Sequence, residues 1–464
     1  MVKETKGNVS RVISNGGGME ANTLAILDAN DAKHTIDANE DRLQYLEAVR
    51  GASLLPGTGI PPTNKMYQAI FRILRFGRTL ELIVASFQLL TELHKRFPWV
   101  YMSDSTAADG QRQLEIVDEA WSPFDFGSGV DSGDKEIFVT SSGFQKLIQD
   151  LTEAGNGIES QELDTKVLGN MLLFQFLVNV LEEDFTPRNR VYKETMNWNL
   201  LKESSLNLLL ASRKINFKLL MKDCLSTVCT PCIDDAVTDS NEDPECSVKN
   251  SNTCLEISLV ERKKSTLCAM KKLIVTIMEL DVSKQKADLE GITTRGDSVR
   301  TPALDLIVNE LAYDEYLLST FLQVFDDPKW KLDIILQYLA KYIHKPSVRT
   351  RRSNSPPAED STTLGGVLKC LSNGTTARSI TRKIGADIIQ ILIGHAFLAW
   401  LASNSFQQEK DASEPKEGNS VTDMCSSVIA VFTNLKQMDR KIEILPFGNE
   451  ALFTAITILN SGKS

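Results

Sequence analysis

The apolar residues of this chain recur at helical spacing almost from end to end, and that period restricts the fold more than any other feature. In PTNKMYQAIFRILRF, Tyr67, Ile70, Phe71 and Leu74 fall at i, i+3, i+4 and i+7, which places them on one helix face. Helix starts are marked as well. Asp327-Pro328 sets an N-cap carboxylate before a proline at the first helical position, where its missing N–H costs nothing. Leu332, Ile335, Leu336, Leu339, Tyr342 and Ile343 then form the buried stripe. Thr301-Pro302 repeats the device ahead of Leu304, Ile307, Val308 and Leu311. On the order of a dozen such segments can be counted, and no pair of strands.

A chain of 464 residues exceeds the roughly 250–300 that one hydrophobic core serves. Many amphipathic helices without one large core predict an all-α, irregular armadillo/HEAT-like solenoid of stacked helices; no clean repeat of fixed period emerges. The expected divisions are a disordered N-terminal tail at 1–37, rich in Gly, Asn, Ser and Asp, and an N-terminal helical region at 38–225. An acidic, Cys-containing loop at 226–256, a central helical region at 257–345, a basic, Pro-bearing linker at 346–362 and a C-terminal helical region at 363–464 follow. Exposed loops are expected at 103–140, 230–256, 346–362 and 407–420.

The N-terminus shows no apolar signal region, so the eight cysteines read as reduced thiols of a cytosolic or nuclear protein, and the sequons at Asn8 and Asn373 go unused. The most apolar run, residues 388–402, is short of a bilayer span and contains Gln390 and His395. It reads as a buried helix, with no membrane partner.

Motifs for chemistry are missing. There is no phosphate loop, no dinucleotide-binding glycine pattern after a strand, and no H-E-x-x-H. The four histidines are His34, His94, His344 and His395, the last a structural histidine in an apolar helix. Glu182-Glu183 and Asp326-Asp327 read as helix-end carboxylates. Cys224, Cys229, Cys232, Cys246, Cys254 and Cys268 include one two-residue gap, Cys229 to Cys232, but no second knuckle for zinc, and free thiols are the favoured reading. One zinc per purified chain would overturn it. No enzyme, metal or cofactor is expected.

Charge is unevenly spread over a net of -10. Residues 104–136 hold nine acidic and two basic side chains, whereas 186–222 hold eight basic and two acidic, so different surfaces face different partners. Within 186–222, Tyr192, Trp198 and Phe217 sit among the cations, but helical spacing makes them core. What is left for phosphate contact is an outer basic face with Arg188, Arg190, Arg213, Lys214 and Lys218. Residues 341–352 carry five basic and no acidic side chains. Lys345, Arg349, Arg351 and Arg352 there read first as a nuclear address, second as a DNA-contacting arm and third as a plain loop. Ser355-Pro356 beside them is a phosphosite candidate whose phosphate would add roughly -1.5 to -2 charge.

Long strings then become familiar. ANEDRLQYLEAVR (38–50), FQLLTELHKRFPWVY (87–101), DEAWSPF (118–124), DFTPRNRVYKETMNWNLLKES (184–204), FLQVFDDPKWKLDIILQYLAKYI (321–343), VRTRR (348–352) and KIEILPFGNE (441–450) resemble one plant family, in the same order throughout. It is the negative regulator of systemic acquired resistance, a leucine-rich nuclear repressor family. The resemblance implies an armadillo-like nuclear protein that represses pathogenesis-related genes at chromatin. It implies membership of the SMC five/six complex in homologous-recombination repair, beside a second helical non-SMC element and transcription factors or other chromatin proteins. It brings no catalytic motif. The expectation is a non-enzymatic nuclear scaffold. The runner-up is a repressor that binds promoter DNA directly through 186–222 and 341–352, and a cytosolic adaptor comes third.

Overall fold

A computed structural model describes residues 19–27, 36–55, 59–103, 113–117, 120–126, 137–156, 165–230, 253–293, 300–343, 363–408, 421–438 and 443–461. The fold is all-α and solenoid-like. It divides into two compact units, residues 1–303 and 304–464.

The first unit opens with α1 (residues 19–27), α2 (Ile36–Ser53), α3 (Asn64–Phe76) and α4 (Leu80–Arg96). Four short strands follow: β1 (Val100–Ser103), β2 (Gln113–Ile116), β3 (Phe124–Asp125) and β4 (Val139–Thr140). Then come α5 (Ser141–Asn156), the long α6 (Thr165–Thr195), α7 (Trp198–Lys202), α8 (Ser205–Ala211), α9 (Phe217–Cys229) and α10 (Thr253–Leu289).

Helix α6 is the axis of this unit. From Leu168 to Leu181 almost every position is buried, as befits a helix enclosed on all sides rather than one with a single wet face. It packs on α3, α4, α5, α7, α8 and α10. Its partnership with α10 runs through a polar seam. Gln175 Nε2 donates to Thr266 Oγ1 at 2.9 Å, Lys272 Nζ meets Glu182 Oε2 at 2.7 Å, and Asn189 Nδ2 donates to Glu279 Oε2 at 3.0 Å. The Ser283 hydroxyl donates to Asn189 Oδ1 at 2.9 Å, and the Tyr192 hydroxyl donates to the Ser283 carbonyl at 2.8 Å. Each pair is separated by 90 to 94 residues, so the two helices run parallel with a constant offset. Gln175, Glu182 and Asn189 recur at heptad spacing, so one stripe of α6 carries the whole register. Asn189→Ala should leave Ser283 and Glu279 without their partner. A loss of about 1–3 kcal/mol is expected in guanidinium unfolding, and an unchanged midpoint would show that the seam does not set the register.

Four expectations for this unit are corrected. Part of the tail at 1–37 is helical, because α1 is tied down at its middle and its C-terminal end: Thr23 and Tyr45 share a buried hydroxyl contact of 3.1 Å, and Arg72 Nη1 donates to the Leu27 carbonyl at 2.7 Å. The loop expected at 103–140 contains strands. β1 and β2 pair antiparallel with Val100 opposite Ile116, and β3 pairs parallel with β4; runs of two to four residues are too short for alternation to show. Glu182-Glu183 lies inside α6, not at a helix end, since the helix continues through Pro187. The Cys-containing loop is also shorter than expected, with α9 reaching Cys229 and α10 starting at Thr253.

The second unit begins at Leu304 within α11 (Ala303–Tyr313) and continues through α12 (Glu315–Val324), α13 (Pro328–Ala340), α14 (Leu364–Ser372), α15 (Gly374–Ile384), α16 (Ala386–Gln408), α17 (Val421–Met438) and α18 (Pro446–Ser461). Caps fix its corners. Asp327 Oδ1 accepts from Trp330 N at 2.9 Å with Pro328 opening α13, as the sequence predicts. Asp314, Thr363 and Asn373 cap α12, α14 and α15. Gly385 closes α15 at φ 81°, a conformation that strains a residue bearing Cβ.

Helix α16 is the centre of this unit, against α13 and α18. Its helix is longer than the apolar run predicted. Ala386–Asn404 is long and apolar enough, by length and composition, to cross a membrane. Here Ile389, Leu392, Ile393, Ala396 and Phe397 are buried in the unit's core. Gln390 is also buried, with its amide donating to the Glu443 carbonyl at 3.1 Å and its carbonyl accepting from Leu445 N at 3.0 Å. The glycine at 448 lets α18 come close: a Cβ there would lie 3.0 Å from the Phe432 ring and 3.3 Å from Gln390 Oε1.

Candidate interaction surfaces

Lys345, Arg349, Arg351, Arg352 and Ser355 lie outside the described residues. So do Cys232 and Cys246.

The second basic face is reduced and sharpened. Arg188 does not belong to it, because it is only 6% exposed. Its Nε donates to Asp184 Oδ1 at 2.9 Å, and its Nη1 donates to the Leu200 carbonyl at 3.3 Å. Asp184 Oδ2 in turn accepts from Ser205 N at 2.6 Å. Arg188 therefore fastens α6 to α7 and α8. A buried guanidinium needs such a partner, and spacing alone does not separate it from its exposed neighbour Arg190.

Arg190, Arg213, Lys214 and Lys218 are exposed and form no ion pair among the described residues. Arg213 and Lys214 lie in the short connection from α8 to α9, and Lys218 stands in the first turn of α9, whose cap is Asn216 with Oδ1 accepting from Leu219 N at 3.2 Å. Among the described residues no carboxylate pairs with these cations, which suits contact with an anionic partner. Tyr192 and Trp198 are core, as the spacing predicts. Phe217 lies under the Arg300 guanidinium at 4.0 Å from its ring centre.

Beside Arg188 lies a cavity of about 260 Å³, lined among others by His94, Trp99, Trp121, Glu183, Asp184 and Arg188. Its wall is an aromatic cluster. Trp121 stacks on Tyr67 with centroids 5.6 Å apart, Trp99 meets Trp121 edge-on at 5.9 Å, and His94 meets Trp99 at 4.3 Å. His94 Nε2 comes within 2.7 Å of Glu183 Oε2, beside rather than in line with its N–H. The Tyr67 hydroxyl and Trp121 Nε1 have no hydrogen-bond partner among the described residues. Burial pushes the Tyr67 phenol up to about 12, so it stays protonated at neutral pH. Periodicity did not reveal this cluster; its Trp-bearing strings, FPWVY and DEAWSPF, stand out only through the family resemblance.

Other titratable groups are tuned toward inertness. Burial pushes the Cys224 thiol far up, away from thiolate chemistry. Cys229 and Cys425 are buried thiols. Among the described residues no group of His, Cys, Asp and Glu could hold a metal. His395 stacks on Phe447 at 3.9 Å, and burial, with Lys331 adding repulsion, lowers its pKa from 6.5 to about 4. A histidine whose folded pKa is depressed contributes stability that is complete above pH 6.5 and lost as pH falls toward 4. The unfolding midpoint should drop across that window, and His395→Leu should flatten the drop; an equal drop in the variant would assign it to other groups.

These surfaces define a class first: an all-α, irregular solenoid-like protein whose distinctive groups are exposed cations and aromatic side chains rather than a set of reactive residues. Residues 99–327 match the family described as SNI1 middle domain, and residues 343–464 match SNI1 C-terminal domain. A relative from Arabidopsis thaliana, the negative regulator of systemic acquired resistance SNI1, is 64% identical over 464 residues, covering 99% of this chain and 100% of the relative. The chain belongs to the SNI1 family.

Proposed function

We propose that the chain is a non-enzymatic nuclear scaffold that restrains systemic acquired resistance by repressing pathogenesis-related genes. In this reading it also serves homologous-recombination repair as a helical subunit of the SMC five/six complex, beside a second helical non-SMC element. The 64% identity over the full length to the Arabidopsis negative regulator carries the resistance part of the proposal, and the repair part rests on the family resemblance of the sequence. A solenoid-like fold supports it, because stacked helices present a long surface without needing a deep pocket. Catalysis has little to build on. The buried thiol of Cys224 resists ionisation, and His395 is held neutral beside Phe447.

The test is complementation in a plant whose own gene is disrupted. The chain should return pathogenesis-related transcripts to their basal level and restore resistance to agents that break both DNA strands. Restored transcripts with persisting break sensitivity would remove the repair half. Transcripts that stay high would remove the repressor half.

A second reading is direct DNA contact through Arg213, Lys214 and Lys218, favoured by their exposure without ion pairs. It requires log K to fall with log salt at about -0.9 per phosphate neutralised. Changing all three to Ala should then lower the slope by about 3; a shallow slope that the change leaves alone removes the reading.

A further inference from the structure

The corner between α11 and α12 reads Tyr313-Asp314-Glu315-Tyr316, and all four residues are exposed. Tyr313 is 91% and Tyr316 71% exposed, although the same two helices bury Ile307, Val308, Leu311, Leu318, Phe321 and Leu322. These rings are therefore not the edge of the core. Solvent exposure of large aromatic rings at one corner forgoes the stabilisation that burial of each would add. Tyrosine is also the side chain enriched at the anchors of protein interfaces.

The corner is held in shape. Asp314 Oδ1 accepts from Tyr316 N at 2.9 Å and from Leu317 N at 3.1 Å, which locks the first turn of α12 and with it the backbone that carries Tyr316. Only side-chain rotamers remain to be ordered on binding.

Its charge is of one sign. From residue 303 to residue 327 the chain has Asp305, Glu310, Asp314, Glu315, Asp326 and Asp327 and no Lys or Arg. Glu315 also lies within electrostatic range of Tyr338, which stacks obliquely with Tyr342 at 5.5 Å. Lys341 of the neighbouring α13 end donates to Asn309 Oδ1 at 2.6 Å, one turn before Tyr313.

We propose that this corner is a docking site for a Lys/Arg-bearing segment of a partner protein. The inference rests on the chain acting through protein partners, as proposed above, and adds the chemistry of one of them. Two out-turned phenol rings present π faces to cations, and the carboxylates between them complete the match. An acidic segment would be repelled. An apolar segment would bury the Glu315 carboxylate without a counter-charge.

The test uses the purified full-length chain and a fluorescent twelve-residue peptide of alternating Lys and Arg with Ser and Ala, carrying one photoreactive benzoylphenylalanine. Binding is read by anisotropy at physiological salt, and the crosslinked site by mass spectrometry. The expected result is crosslinking within residues 313–316 and binding about ten-fold weaker in the Tyr313→Ser, Tyr316→Ser double variant, the loss of one anchor. That variant keeps the charge of the chain, and its exposed positions leave the circular dichroism unchanged. Glu315→Gln should weaken binding several-fold, whereas Glu450→Gln on α18, with the same charge change, should not. Failure of the peptide to bind, crosslinks elsewhere, or equal affinity in the double variant would each overturn the proposal. None of those outcomes touches the complementation result, so the two readings fail separately.

Discussion

Asp281→Ala is expected to be among the most damaging single changes in the first unit, costing about 3–5 kcal/mol. The Asp281 carboxylate is buried against the Arg300 guanidinium, from which Nη1 donates to Oδ2 at 3.1 Å, and it accepts from Ala303 N at 2.7 Å. Burial pushes Asp281 above the ordinary carboxylate range and Arg300 below the ordinary guanidinium range, although each attracts the other. Desolvation therefore outweighs the attraction, and neither charge is tolerated alone. Arg300 is further trapped over Phe217, so it cannot leave for water without giving up that contact. The same physics predicts a rescue. Asp281→Leu with Arg300→Met removes both charges and should recover all but about 1 kcal/mol, the residue being the lost acceptor for Ala303 N. Guanidinium midpoints of the two single variants and the double variant measure the coupling. Additive losses would show that the pair is not coupled as described.

Phe176→Ala is the second large effect, expected at about 3–5 kcal/mol. Phe176 sits on α6 with its ring 6.0 Å from Phe71 and 6.4 Å from His94. It joins the axis helix to α3, α4 and, through His94, to Trp99 just before β1. Truncation opens a cavity where helices and strands meet, and close-packed interiors relax only partly into such a space. A loss below about 1 kcal/mol would mean that the cluster collapses to fill the gap. Tyr316→Ser, by contrast, should leave stability unchanged, which separates core aromatics from those offered to a partner.

Much of the architecture was legible in the chain. Residues 67, 70, 71 and 74 are buried on α3, as their period predicts. The Asp327-Pro328 signal marks the start of α13 to the residue. Local rules suffice there because capping and amphipathic spacing are decided within one or two helical turns. What stayed hidden depends on distant residues. Arg188 reads as an outer cation until Asp184, itself held by Ser205 N, and the Leu200 carbonyl meet it. The seam of α6 and α10 joins residues about 90 apart, and nothing in either segment alone names the other. The strands β1 to β4 are too short to carry a period. Helix α1 is held by Tyr45 and Arg72 rather than by its own composition. The cavity wall escaped for a related reason: His94 and Glu183 are unremarkable apart, and only the packing of α4 on α6 sets them 2.7 Å apart.

The exposed features of the two units differ in charge. Arg213, Lys214 and Lys218 present cations from one, and Tyr313 to Tyr316 presents aromatic and acidic groups from the other. The scaffold proposed above would have use for both, because surfaces of opposite sign select different partners and exclude wrong ones.

One measurement tests this account most directly. The tagged chain is crosslinked in plant nuclei, recovered after exhaustive nuclease digestion, and its partners and crosslinked residues are read by mass spectrometry. The account predicts that SMC subunits and a second helical element remain bound without nucleic acid, with crosslinks on exposed helical faces. Loss of those partners with the DNA, leaving crosslinks only to nucleotides at the basic corner, would contradict it.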